Sequence, residues 1–155
     1  MKTLFLVLFL CVAAASAVEL DPYNYKSGLH YCYLDGMRYT FAISNADYAK
    51  MRKWNPSEDA SPPVTPKRAL ELARARLARI KRPKSPGWDL VRISLEPIGG
   101  ISDPNGKWMY VVTFYLHINV FGTPVAMNFI VTMDDKLVEP IVEPEKRNQS
   151  FRTPP

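Results

Sequence analysis

The sequence predicts an α+β fold: an amphipathic helix packed on a curved antiparallel sheet of three to four strands, preceded by a β-hairpin and a short helix. Three observations predict it. Apolar residues recur at helical spacing between Thr65 and Arg82, they alternate with period two from Trp88 onward, and turn-rich segments divide the alternating runs. Sequential strands that are apolar on one face need a cover, and the preceding helix is the one long amphipathic element of the chain.

The chain opens with Met1-Lys2, an apolar run from Leu4 to Val12, and Ala15-Ser16-Ala17, the small-x-small pattern that signal peptidases accept. Residues 1–17 are therefore expected to be a signal peptide cleaved after Ala17, giving a secreted or periplasmic protein. The run is shorter than the roughly 20 apolar residues of a permanent span, so no stable membrane insertion is expected after cleavage. Leu10, before Cys11, is not the small residue that a lipoprotein signal needs. Losing Cys11 leaves Cys32 alone, which cannot form an internal disulfide; it reads as a small apolar thiol on the hairpin face, with a link between two chains as a dimer the alternative. Stability must then come from a hydrophobic core, and 47% hydrophobic content in 155 residues is enough to build one.

Residues 18–64 hold the hairpin, the short helix and a Pro-rich linker. Leu29 to Leu34 and Met37 to Ile43 are β-prone runs around Asp35-Gly36, a dipeptide suited to the positive φ of a tight turn. Ser44 caps a short helix expected to reach Lys53, before Asn55-Pro56. Ser61-Pro62-Pro63 favours extended geometry.

Residues 65–143 hold the helix and the strands that follow. Thr65-Pro66 starts the helix, with Thr as cap and Pro where no N–H is needed, and the helix is expected to run to about Arg82 before Pro83. Ala69, Leu70, Ala73, Leu77 and Ile80 share one arc and predict the core face. Val91, Ile93 and Leu95 alternate with polar residues. Trp108, Tyr110, Val112, Phe114, Leu116, Ile118 and Val120 form one apolar face of a long strand, and Val125, Met127, Phe129, Val131 and Met133 continue the pattern in the next. Asp134-Asp135 turns the chain into a last strand from Lys136 to Val142. Residues 144–155, charged and proline-rich, are expected to be a disordered tail.

The helix Pro66 to Ala73, Trp88-Asp89-Leu90 with Ile93-Ser94-Leu95, Trp108 to Phe114, and Ile130 to Val138 together resemble the helix-plus-meander layout of PepSY-like domains, small exported bacterial modules of cystatin-like fold. The resemblance implies a non-catalytic module that binds partners in the cell envelope, with peptidase modulation proposed for some relatives. This chain has Asp134-Asp135-Lys136 where those strands usually close on Asp followed by Thr-Gly, and it lacks the Gln-x-Val-x-Gly loop with which cystatins block cysteine proteases.

For chemistry, His30 and Cys32 share a strand face but make a pair of ligands, fewer than a zinc site needs, and His117 is the only other histidine. There is no Gly-x-Ser-x-Gly elbow, calcium loop or phosphate-binding loop. Asp134, Asp135, Glu139 and Glu143 are the candidate acid-base carboxylates, the first two read as a turn and the others as a solvated strand face. Trp54, Trp88 and Trp108 could stack on sugars, with Trp108 assigned to the core. Asn148-Gln149-Ser150 matches a glycosylation sequon. No catalytic, metal or cofactor site is expected.

The net charge is +5, a mild excess spread over the chain, and Arg74, Arg76, Arg79, Lys81, Arg82 and Lys84 form its main basic cluster. Export argues against nucleic acid and points to a protein or an anionic envelope component, with Arg74, Arg79, Lys81 and Arg82 as the candidate binding surface. The sequence thus favours an exported non-catalytic interaction module that binds through the sheet's open face or the basic helix. The alternative is a small periplasmic hydrolase or carbohydrate-binding protein using the tyrosine-rich hairpin and the odd-numbered face of the long strand.

Overall fold

The computed structural model describes residues 30–80, 87–99, 106–116 and 124–145. The leader at 1–17, Lys81, Arg82, Lys84, His117 and the sequon lie outside these residues. Among the described residues the architecture is α+β, with two antiparallel sheets, one of three strands and one of four.

The first sheet grows from the hairpin β1 (His30–Leu34) and β2 (Met37–Phe41). Asp35 and Gly36 take φ of 53° and 73°, the left-handed conformation that the sequence suggested for this turn. β7 (Ile141–Pro144) pairs with the other side of β2, giving the order β1-β2-β7. The second sheet has the order β3-β4-β5-β6, from β3 (Trp88–Pro97), β4 (Trp108–Leu116), β5 (Val125–Thr132) and β6 (Lys136–Leu137). A bulge interrupts the β3–β4 register between Leu90 and Arg92.

Sequence reading placed one strand over 136–142, but the structure divides it between the two sheets. Pro140 supplies no N–H for a continuous ladder, and the chain crosses over there. The boundary drawn at 144 also moves: Pro144 belongs to β7, and the Glu145 N–H donates to the Gly36 carbonyl at 2.8 Å.

Two helices connect the sheets. α1 (Asn45–Lys50) is capped by Ser44, whose Oγ accepts from the Asp47 N–H at 3.0 Å. It ends three residues before Lys53, because Met51 turns to extended backbone and buries its side chain. α2 (Pro66–Leu77) starts as the Thr-Pro pair dictates, with Thr65 Oγ1 accepting from the Arg68 N–H at 3.2 Å. Ala69 and Ala73 are fully buried, and Leu70, Leu77 and Ile80 pack against the core. The helix ends at Leu77 rather than near Arg82, with turns over residues 78–80, and lies against β4, β5 and β6.

Core packing centres on Phe129, which meets Phe41 of β2 and Phe114 of β4 edge-on at 5.3 and 5.9 Å. Both faces of β4 are covered. Tyr110, Val112 and Phe114 are buried as their spacing predicts, and so are Met109, Val111 and Thr113 on the other face.

Candidate functional site

A cleft of about 510 Å³ opens between α1 and the segment running from the end of β5 to β7, within the size range of ligand sites. The chain reversal after Ile43 brings α1 to one side, and the Asp134-Asp135 turn brings Lys136 to Glu139 to the other. Ile43, Met51, Leu137 and Ile141 contribute apolar surface. Asp47, Asp134, Glu139, Lys50 and Lys136 contribute charge.

The acids of this cleft are engaged in the fold. Both oxygens of Asp134 accept from the Arg52 N–H at 3.1 Å, which ties the end of α1 to the β5–β6 turn. Asp47 accepts from its own cap residue, Ser44 Oγ, at 2.6 Å. Glu139 accepts from Arg76 Nε at 2.7 Å, fastening α2 to the segment after β6. Beside the cleft, Asp135 takes a forked bond from Arg68, which holds its carboxyl below the usual carboxylate range. The lysines differ: both Lys50 and Lys136 are exposed, and neither has a carboxylate partner among the described residues. The cleft therefore presents two lysine ammonium groups and an apolar lining, with the Asp47 and Asp134 carboxylates held in place by neutral donors among them.

The basic cluster of α2 and the residues after it divides. Arg76 is tied to Glu139, while Arg74 and Arg79 are exposed; Lys81 and Arg82 lie outside the described residues. The remaining carboxylate, Glu143, pairs with Arg38 across β2 and β7. Cys32 is buried, and burial pushes its thiol up to about 11. His30 stands two residues away with its pKa lowered, chiefly by burial. No group of three metal-ligating side chains occurs among the described residues, and no described helix is long and apolar enough to cross a membrane.

Sequence reasoning missed Lys107. This buried lysine donates to the carbonyls of Tyr48 and Ala49 at the end of α1, and its Nζ lies 4.8 Å from the Tyr48 ring centre. The cation thereby satisfies carbonyls at the negative end of α1. Trp54 is also buried, edge-on to Trp108 at 5.9 Å, so both are packing residues. Family models, curated proteins and solved structures were compared with the chain. None matches.

Proposed function

We propose that the protein is an exported, non-catalytic interaction module whose cleft holds an anionic segment of a protein or of a cell-envelope component. The fold behind this reading is a PepSY-like one, an amphipathic helix on a curved sheet, and its partners include peptidases if the resemblance extends to function. One observation carries the proposal. The acids of the cleft are bound by main chain, cap or arginine, while Lys50 and Lys136 remain available beside apolar side chains. A ligand complements that arrangement when its carboxylate or phosphate meets Lys50 and Lys136, away from Asp47 and Asp134, and its apolar portion meets the apolar lining.

The test is affinity capture from a native envelope extract with the mature chain as bait, beside the variants Lys50→Glu/Lys136→Glu and Arg74→Glu/Arg79→Glu. The cleft variant is expected to lose the partners. Equal recovery by all three baits would remove charge as the basis of recognition, and a hydrolytic turnover abolished by Asp134→Asn in a folded protein would replace binding with catalysis.

A second reading, carbohydrate binding, is favoured by one feature. Tyr31 and Tyr33 of β1 are 45% and 50% exposed, and the Arg38 guanidinium lies 5.9 Å from the Tyr31 ring centre. This reading rests on the hairpin alone, because the odd-numbered face of β4 is covered at Met109, Val111 and Thr113. Loss of polysaccharide retention by Tyr31→Ala/Tyr33→Ala, with the cleft variant unaffected, would favour it.

A further inference from the structure

We propose that β3 is a self-association edge: two copies of the chain pair antiparallel through the outer sides of their β3 strands, centred on Ser94, and join their four-stranded sheets. β3 ends the order β3-β4-β5-β6, and no described strand pairs with its outer side. Leu90 and Val91, near its start, are 38% and 49% exposed.

Main-chain groups of alternate residues in an antiparallel strand point to opposite sides. The Ile98 N–H donates to the Lys107 carbonyl at 2.7 Å, so Ile98, and with it Glu96, Ser94 and Arg92, address β4. Ile93, Leu95 and Pro97 therefore address the outer side. Pro97 fits this assignment, because its missing N–H costs the β3–β4 ladder nothing.

Registers that oppose outward-facing residues are the ones that form hydrogen bonds, which places the two-fold centre on a residue, and along the regular edge the choices are Arg92, Ile93, Ser94, Leu95 and Glu96. A centre at Arg92 sets that cation against itself, and one at Glu96 sets that carboxylate against itself. Centres at Ile93 and Leu95 set Arg92 against Ser94 and Ile98. The centre at Ser94 sets Arg92 opposite Glu96 of the second copy, and the two-fold axis repeats the pair. In that register the Ile93 and Leu95 N–H and carbonyl groups of the two copies bond reciprocally. The strand is thus complementary in charge to itself in one register, which is the requirement for a two-fold interface and the reason a second copy is the occupant. The bulge between Leu90 and Arg92 limits the regular edge, so the interface is small and the association concentration-dependent. It involves neither the cleft nor the ligand read for it.

Sedimentation of the purified chain over a concentration series tests this. A monomer–dimer equilibrium is expected, weakened about tenfold or more by Arg92→Glu or Glu96→Arg, each of which turns two attractive pairs into two repulsive ones. The double variant Arg92→Glu/Glu96→Arg is expected to recover wild-type association, with circular dichroism confirming the fold throughout. A chain that stays monomeric up to roughly 1 mM, a dimer indifferent to the single variants, or a double variant that fails to recover would each overturn the pairing.

Discussion

Cys32 shows how position decides chemistry at the scale of a residue. It is 3% exposed on the inner side of the hairpin, and burial holds its thiol protonated up to about pH 11. A link between chains through Cys32 would require the hairpin to open. An alkylating reagent at mildly alkaline pH is accordingly expected to leave the native protein unmodified and to label it in denaturant, read by mass; rapid labelling of the native protein would contradict the burial. The same residue and His30 shape the stability profile from opposite sides. His30 has a folded pKa below its ordinary value of 6.5, so on acidification through that value the unfolded chain takes up the proton first and stability falls. Cys32 has a folded pKa above its ordinary 9.0, so between there and about 11 the unfolded chain loses the proton first and stability falls again. Urea midpoints across pH should show both declines, with His30→Gln flattening the acid one and Cys32→Ala the alkaline one. Phe129, closed between Phe41 and Phe114, sets the scale for packing: Phe129→Ala is expected to cost about 3–5 kcal/mol by urea unfolding.

The elements differ in how openly the sequence announces them. The Thr65-Pro66 start of α2 is a local signal and forms as read; Thr65→Ala is expected to lower stability by about 1 kcal/mol through loss of the cap. The Asp35-Gly36 turn and the alternation in β4 and β5 are equally local. The end of α1 is not. Its last carbonyls are met by Lys107, far along the chain, and no local pattern distinguishes that lysine from a solvated one. Lys107→Met is expected to destabilise the protein by about 1–3 kcal/mol in the same assay, because the Ala49 carbonyl loses the ammonium donor and the Tyr48 carbonyl is left with the Met51 N–H. β7 was hidden for a similar reason. Its residues continue the apolar pattern after β6, and Pro140 marked a break whose consequence, pairing with β2, depends on residues about a hundred positions earlier.

Across the whole molecule, the composition and periodicity were enough for the α+β class, the core face of α2 and the apolar face of β4. The second covered face was carried by Met109 and Val111, whose apolar character already disagreed with an open surface. The candidate site was less legible. Arg74 and Arg79 are exposed as read, but the cleft between α1 and the β5–β7 segment exists only through tertiary contacts, and Arg76 proved to be a fastening to Glu139. The account as a whole rests on carboxylates that serve the fold: Asp134 holds the end of α1, and Glu143 holds β7 to β2 through Arg38. Groups kept for chemistry behave differently on removal, leaving stability unchanged or raised. The most direct measurement is therefore the urea midpoint of Asp134→Ala and of Glu143→Gln beside the unaltered chain. The account predicts that each falls, by about 1 kcal/mol; midpoints that hold or rise would contradict it and return these carboxylates to the list of functional groups.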